Sequence, residues 1–343
     1  MSVRQLLRKP FDNTVFAPTV DMEGKIAIVT GAGPSSLGYA TAKTLAEWGC
    51  TVIVSTRKNT EGRVRQLQAE LPESAVGSVD GHPLELSSRT SVDQFSSWYL
   101  EKYGNRLDAL VNNAGIHLDL MSKWKQARLS DDGVEVHWRT NFLGSVDLTH
   151  RLLPALLETA NSVGEARVVN VVSQLHSKGR NAALFSAGPS NPTAAPETLE
   201  ASESSVEYNS WRAYGLSKLA MIHFSNELHR RYFDSEGLKS YSLHPGGVSG
   251  VSTKVAEKGL EGHSFISAIR RLGAPLEKLF MATAEEGAQT QIYCATAADA
   301  RSGSYYTNCE AVGASVETQD LAAAEKLWKE TAEWLAATTV PSS

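Results

Sequence analysis

The sequence predicts an α/β fold in which a parallel sheet of the doubly wound, Rossmann type is covered by helices on both faces. Three observations predict it. Short apolar runs alternate with amphipathic helical patterns, an order that requires crossover connections between parallel strands. The apolar runs are continuous rather than alternating, as expected of strands buried on both faces. The first run also leads directly into a glycine-rich turn, which is how a dinucleotide-binding unit begins.

The individual elements follow from these patterns. The predicted strands are Lys25–Thr30, Thr51–Ser55, His82–Leu86, Leu107–Val111, Arg167–Val172 and Leu238–Leu243, with a last candidate at Ser304–Tyr306. The predicted helices are Ser36–Trp48, Asn59–Leu71, Ser91–Tyr103, Asp132–Thr159, Trp211–Phe233, Thr283–Thr296 and Asp320–Ala337. Pro154 is expected near a kink or a boundary of its helix, because proline removes a backbone donor.

These elements indicate one catalytic domain over residues 25–312, after an extension of residues 1–24 and before a helical tail of residues 313–343. Two stretches lack a periodic pattern: an insertion at residues 174–210, before a long helix, and a loop at residues 248–280 that is expected to contact the substrate. Loops of this length usually cover a functional site or are mobile excursions, and for the insertion both interpretations stay open.

Composition argues against several classes of protein. The 343 residues include 33 basic and 38 acidic ones, the net charge is −5, and no long basic run occurs, so nucleic acid is not an expected partner. No apolar stretch approaches the roughly 20 residues of a membrane span. The N-terminal residues lack the apolar core of a secretory signal, and the three cysteines are far apart, so a reducing, cytoplasmic location is expected.

The first motif is the glycine turn, residues 30–38, between the first strand and the first helix. Glycines let the backbone approach a phosphate, and the helix N-terminus offers free N–H groups and a favourable dipole. By itself such a turn is also compatible with a tight structural connection. The residues expected to bind a dinucleotide here are Gly31, Ser35, Ser36, Leu37 and Gly38.

The end of the second strand predicts which dinucleotide binds. An acidic residue there holds the ribose 2′-hydroxyl of NAD, whereas a basic residue accommodates the 2′-phosphate of NADP. This strand is followed by Arg57 and Lys58, and no acid occurs before Glu61. A guanidinium can bond a phosphate through two N–H groups. NADP(H) is therefore expected, the alternative being two solvated surface cations.

Polar residues also follow the fourth and fifth strands. Asn113, Ala114 and Gly115 fit the crevice at the carboxyl end of a doubly wound sheet, while Asn112 could equally tie loops together. Ser173 ends the fifth strand. Further on, Tyr214 and Lys218 are spaced to share one helix face, where an ammonium would lower the pKa of a phenol and prepare it for proton transfer; such a pair alone is weak support.

With these residues in order, the chain resembles the short-chain dehydrogenases/reductases over roughly residues 25–297, most closely their retinol-dehydrogenase-like branch. The resemblance implies hydride transfer between NADP(H) and a lipophilic ketone, aldehyde or alcohol. It implies that Tyr214 moves the proton, that Ser173 bonds the substrate oxygen, and that Lys218 binds the nicotinamide ribose. It also implies a homodimer or homotetramer.

The resemblance assigns further residues. Asn141 matches the helix asparagine that holds a proton-relay water, and the family's nicotinamide-contacting loop matches Pro245, Gly246 and Val248. The adenine-contacting acid falls at Glu85, beside Leu86, although the family usually has Asp. Further departures are Ser36 in place of a glycine, Gly250 in place of a threonine, and the long insertion between Ser173 and Tyr214.

Other functions were weighed against this one. The histidines show no zinc-protease spacing and no Cys/His cluster occurs, so no metal is expected. His176 could touch the substrate, although loop histidines are often merely exposed. A nucleotide-sugar epimerase would reuse the Tyr/Lys pair, but it usually carries a larger C-terminal domain. A non-catalytic cofactor-sensing or scaffold protein should have lost Ser173, Tyr214 or Lys218, and all three are present.

Overall fold

The computed structural model describes residues 14–186, 208–246 and 282–337. Their strands are β1 (Ile26–Thr30), β2 (Thr51–Ser55), β3 (Ser78–Gly81), β4 (Ala109–Asn112), β5 (Ala166–Val171), β6 (Leu238–His244), β7 (Tyr305–Thr307) and β8 (Glu310–Val312). They form one sheet in the order β3-β2-β1-β4-β5-β6-β7-β8. All neighbours run parallel except β7 and β8, so the fold is the expected Rossmann type with an antiparallel edge.

Helices connect these strands. They are α1 (Leu37–Glu47), α2 (Thr60–Glu70), α3 (Arg89–Tyr103), α4 (Gly144–Val163), α5 (Asn181–Ser186), α6 (Ser210–Glu236), α7 (Ala284–Gly287), α8 (Gln289–Thr296) and α9 (Leu321–Ala337). A π-helix, Trp138–Leu143, runs directly into α4, and short 3₁₀ helices occur at Gln174–Lys178 and Val316–Gln319. None of the helices in the described ranges combines the length and the apolar character that a membrane crossing needs.

Each face of the sheet has its own apolar core. Alternate strand residues such as Ile28 and Leu110 belong to the core that contains Leu219 of α6, whereas Val29 belongs to the core that contains Leu45 of α1. Because the central strands β1, β2, β4 and β5 contribute to both cores, their sequences are apolar without alternation. The sheet therefore holds the ends of its strands rigidly at one edge, where the chain reverses between β1 and β4 and a crevice opens.

The third strand was predicted at the wrong place. It was expected at His82–Leu86 but lies at Ser78–Gly81, immediately before. Leu84 and Leu86 are buried, which explains the apolar pattern, but they lie in the loop that leads to α3. Pro83 has no N–H to donate to a strand partner, and it falls inside the predicted run.

Two helix predictions also need correction. The helix expected from Asp132 begins only at Val136 and continues as the π-helix from Trp138, because Ser130 accepts from Gly133 and donates to the carbonyl of Val134 in a turn. Pro154 lies inside α4 rather than at its boundary.

The helix expected at Thr283–Thr296 is divided at Ala288 into α7 and α8. The first residues of the insertion form the 3₁₀ helix and α5 rather than irregular loop.

The C-terminal helix α9 belongs to the main core. Its Leu327 and Leu335 are buried in the same cluster as the residues of α6, and its Trp328 stacks on Phe224 with the ring centroids 5.5 Å apart. At its other end, the guanidinium of Arg89 lies 4.5 Å from the Trp334 ring and donates to the carbonyl of Leu335 at 2.9 Å. The predicted tail is therefore an integral layer of the fold.

Candidate active site

Side chains from β5 and α6 meet at the carboxyl edge of the sheet. Ser173 follows β5, and Tyr214 and Lys218 lie one turn apart on α6. Ser173 lies close enough to Tyr214 for its hydroxyl to lower the pKa of the phenol, and the Nζ atom of Lys218 lies 5.7 Å from the centroid of the Tyr214 ring. The fold thus brings together the three side chains that the sequence predicts as catalytic.

Burial controls the protonation of this pair. It raises the pKa of Tyr214 to about 12, against the opposing effect of the Ser173 hydrogen bond, and it lowers the pKa of Lys218 to about 8. The Nζ atom of Lys218 donates to the carbonyl of Val171 at 3.0 Å. The direction for Tyr214 is the opposite of the lowering expected from a neighbouring ammonium. A phenol with a raised pKa stays protonated near neutral pH, so it is ready to donate a proton.

Asn141 lies in the π-helix, beside this group. Its Oδ1 accepts from the backbone N–H of Ile116 at 2.7 Å, and its Nδ2 donates to the Ile116 carbonyl and to the hydroxyl of Ser217. A Cβ built on Gly115 would lie 3.2 Å from Asn141 Oδ1 and 3.3 Å from Lys218 Nζ. Glycine at position 115 therefore keeps open the space between the amide and the ammonium, and π-helical turns often occur at such functional positions.

The glycine turn is clamped to the loop after β4. Asn113 Nδ2 donates to the carbonyl of Thr30 at 2.7 Å, and the hydroxyl of Thr30 accepts from the backbone of Asn113 and Ala114. A Cβ on Gly31 would lie 2.9 Å from the Cα of Ala114, and one on Gly38 would lie 2.5 Å from Asn113 Nδ2. Gly31 and Gly38 therefore permit close packing between the two loops. Asn112 binds Thr149 and Asn170 instead, which is the structural alternative expected for it.

The tip of the glycine turn fits a phosphate group. A Cβ on Gly33 would meet no described atom within 4 Å, so its backbone borders open space. Ser35 is exposed with a φ of +55°, and Leu37 begins α1, whose N-terminus carries free N–H groups. The hydroxyl of Ser36 caps α1 by accepting from Tyr39, and it donates to the carbonyl of Gly31. Ser36 thus stiffens the turn from within.

Arg57 and Lys58 are exposed beyond the end of β2. Arg57 Nε lies 3.6 Å from a carboxylate oxygen of Glu85, so two residues predicted to contact opposite parts of the adenosine moiety face each other. The other Glu85 oxygen accepts from Ser87. Leu86 is buried, and its carbonyl accepts from Arg139 at 2.7 Å.

The remaining predicted contacts lie after β6. Pro245 and Gly246 end the described part of that loop, and Gly246 has a φ of +79°, which favours glycine. Val248 and the whole of residues 248–280 lie outside the described residues. Most of the insertion, residues 187–207, lies outside them as well.

The sequence analysis did not single out the aromatic residues that surround Tyr214. The ring of His117 stacks on the Tyr214 ring with centroids 4.1 Å apart and planes at 11°. Trp211 packs edge-on against His117 at 4.7 Å, and His137 lies 6.0 Å away. His117 follows Gly115 by two residues and His137 precedes Asn141 by four, so their closeness to the motifs was the available signal.

A buried acid organises the loop beneath these rings. Glu135 accepts from His137 Nδ1 at 2.7 Å, from Tyr208 at 2.8 Å and from the backbone of Trp138. Burial by itself would raise the pKa of Glu135, but the hydrogen bonds that it accepts, above all that from His137, hold it below its usual value. His137 Nε2 in turn accepts from the backbone of Leu118 at 2.9 Å. This network joins the loop after β4 to the start of α6.

His176 does not face open space. Its Nδ1 donates to the Ser173 carbonyl at 2.8 Å, its Nε2 accepts from the backbone of Ser315 at 3.0 Å, and burial lowers its pKa. Asn181 extends this connection by donating to Glu317 through its backbone and its side chain. The segment before α9 is thereby fixed to the loop that carries Ser173. Within the described ranges, no three His, Cys, Asp or Glu side chains are grouped so that they could hold a metal ion.

Comparison with known proteins gives consistent matches. The family model of the short chain dehydrogenases matches residues 25–187. Retinol dehydrogenase 11 of Mus musculus is 32% identical over 94% of this chain and 90% of its own length, and polyprenol dehydrogenase of Danio rerio is 31% identical over 96% and 92%.

Solved structures match as well. An uncharacterized protein from Mycobacterium paratuberculosis is 26% identical with a TM-score of 0.62, over 94% of this chain and 98% of that one. The RhlG/NADP complex of Pseudomonas aeruginosa is 24% identical with a TM-score of 0.57, over 84% and 96%; at this identity the likeness shows the fold alone.

Proposed function

The chain belongs to the short-chain dehydrogenase family of oxidoreductases, and we propose that it interconverts a lipophilic ketone or aldehyde and the corresponding alcohol, with NADP(H) as its cofactor. The observation that carries this proposal is the phenol of Tyr214, which lies next to Ser173 and Lys218 beside the crevice of the sheet. The aromatic rings around Tyr214 and the relatives named for retinol and polyprenol support a lipophilic substrate.

Each catalytic side chain has a task in this scheme. When bound, the dinucleotide supplies the hydride that the carbonyl carbon gains in reduction, and accepts it in oxidation. The Ser173 hydroxyl bonds the substrate oxygen, and Tyr214 gives that oxygen its proton. Lys218 holds the ribose and, with a water at Asn141, returns a proton to Tyr214. The glycine turn would hold the phosphates, through Gly33 and the N-terminus of α1.

Tyr214→Phe tests the catalytic assignment. NADPH consumption is followed with a retinoid aldehyde, an isoprenoid aldehyde, a straight-chain aldehyde and a water-soluble sugar ketone. The variant should lose activity at least roughly a hundredfold, because general acid catalysis contributes at least that much. NADPH affinity should be unchanged. Tyr232→Phe, on the same helix but beside Trp328, is the matched control and should retain full activity.

Two results would count against this function. Residual activity of Tyr214→Phe above about a tenth of the wild type would exclude Tyr214 as the proton donor. A wild-type preference for the sugar ketone would exclude the lipophilic class and leave the oxidoreductase family unaffected.

Arg57→Ala tests the choice of NADP. Arg57 is half-exposed at the end of β2, where its guanidinium can reach a 2′-phosphate, so its loss should raise the KM for NADPH at least tenfold and leave that for NADH nearly unchanged. Arg65→Ala removes an equal charge from the exposed face of α2 and should change neither. Equal use of both cofactors by the wild type, with a silent Arg57→Ala, would refute NADP specificity.

A further inference from the structure

His117 is held against Tyr214 by its neighbours. The two rings are nearly parallel at 4.1 Å, and the Trp211 ring packs nearly perpendicular to the His117 ring with the centroids 4.7 Å apart. Only 8% of His117 is exposed. An imidazole packed in this way cannot rotate without displacing Trp211 or the phenol.

The backbone next to His117 is fixed as well. Leu118 donates its N–H to His137 Nε2 at 2.9 Å, and the opposite nitrogen of His137 is bound to the buried carboxylate of Glu135. The ring position is therefore determined both by the aromatic packing and by a buried hydrogen-bond network. Such supporting contacts are what holds a catalytic group in its productive geometry.

A histidine at this position is expected to destabilise the fold, so its presence needs another explanation. Its Nε2 is buried and has no hydrogen-bond partner among the described residues, and burial, together with the charge of Lys218, lowers its pKa to about 3. The ring is therefore neutral, and it places no positive charge on the face of the phenol. An unpaired buried nitrogen destabilises a fold, so a contribution to stability does not account for it.

We infer that His117 is a positioning residue for Tyr214: its flat, neutral ring fixes the plane of the phenol and so the direction in which the hydroxyl points. This inference rests on the proposed function, in which the phenol hydroxyl must meet the substrate oxygen. Small displacements of a reacting group lower turnover strongly while leaving cofactor binding intact. The feature that matters is a flat ring at position 117.

Three substitutions distinguish the effect of a flat ring at position 117 from the effect of side-chain volume. His117→Leu fills the space without a flat face, His117→Ala empties it, and His117→Phe restores a flat ring without nitrogen. We expect kcat to fall at least tenfold in the Leu and Ala variants, with the KM for NADPH within threefold of the wild type. His117→Phe should recover kcat to within threefold. Full activity of His117→Leu, or a Phe variant as slow as the Leu variant, overturns the inference.

A spectroscopic measurement keeps the test independent of turnover. In protein carrying ring-¹³C tyrosine, the Tyr214 signals are assigned as those that disappear in Tyr214→Phe. Stacking shifts these signals, so they should move in His117→Leu and return toward their original positions in His117→Phe. Unmoved signals in His117→Leu overturn the positioning role. If the signals move in His117→Leu but the wild-type protein reduces no carbonyl, the positioning role is supported and the proposed function is the part that fails.

Discussion

The two halves of the molecule hold their functional groups in different ways. In the first half, residues 25–115, the ties run between neighbouring strands and their loops, as where Thr30 binds Asn113 or the side chain of Asp108 accepts from Ile26. In the second half, residues 116–337, buried titratable side chains join distant segments, as in the contacts of Glu135 with Tyr208 and of His176 with Ser315. The proposed cofactor turn thus depends on the sheet itself, whereas the proposed catalytic group depends on side chains that acid or one substitution can disable.

Lowering the pH is expected to give the largest difference in stability between the two halves. The described histidines with lowered pKa values all lie in the second half: His117, His176, His223, His229 and His244. Burial lowers the pKa of His223 and His244 to about 4 from an ordinary 6.5, so below about pH 6.5 the unfolded chain binds protons that the folded chain does not. Stability is therefore complete above that pH and is lost as the pH falls toward 4, by up to about 1.4 kcal/mol per pH unit for each histidine.

Hydrogen exchange measures where this loss occurs. Amides of residues 116–186, 208–246 and 282–337 should lose protection between about pH 6.5 and pH 5, while those of residues 25–115 keep theirs. Urea unfolding over the same range gives the total change. A uniform loss of protection, or equal stability at both pH values, would remove the distinction between the halves.

Glu135→Ala gives the next largest effect. The carboxylate is buried and accepts from His137, Trp138 and Tyr208, and each buried donor left without a partner costs about 1–3 kcal/mol. The matched change in the first half is Glu70→Ala, whose carboxylate is partly exposed and accepts from Tyr39. That change should cost at most about 1 kcal/mol. Denaturant unfolding compares the two, and similar losses would show that burial does not set the difference.

Gly38→Ala tests how tightly the first half is packed. The new methyl group would lie 2.5 Å from Asn113 Nδ2, so the clamp on the glycine turn must open, at a cost of about 1–3 kcal/mol. Gly33→Ala adds the same methyl group where it meets no described atom, and its stability should stay within about 0.5 kcal/mol of the wild type. Thermal unfolding distinguishes them. Equal melting temperatures for both variants would contradict the clamp.

Ser315→Pro gives the smallest effect. Ser315 has a φ of −64°, which suits proline, so the substitution chiefly removes the backbone N–H that donates to His176. Losing this hydrogen bond should lower the free energy of unfolding by about 1 kcal/mol. Ser315→Ala keeps that N–H and removes only a buried hydroxyl that has no partner in the described chain, so it should be neutral or slightly stabilising. Unfolding midpoints decide between them. An alanine variant as unstable as the proline variant would mean that the hydroxyl, not the His176 contact, is the stabilising group.

The same division explains what could be predicted from the sequence. The positions of most strands and of the glycine turn follow from local patterns, since a buried strand and a βα turn each leave a signature within a few residues. The segment around Leu84 was wrongly predicted as a strand, because its apolar residues lie in a loop but are buried in the core. The register of Tyr214 and Lys218 on α6 follows from helical spacing alone.

The surroundings of Tyr214 could not be predicted in this way. Stacking by His117 and the contact of His176 with Ser315 depend on how distant segments meet, which no spacing in the chain encodes. The pKa of Tyr214 also depends on burial, which raises it, whereas the neighbouring Lys218 was expected to lower it. Sequence reasoning therefore identified the groups but not the environment that determines their chemistry.

The packing of α9 has a consequence for biosynthesis. Arg89 donates to the carbonyl of Leu335, 246 residues further along the chain, and Leu335 itself fills part of the main core. A ribosome makes residue 89 long before residue 335, so the emerging polypeptide carries an unfinished apolar surface for most of its translation. Such surfaces are the ones that chaperones bind and that aggregate when left uncovered.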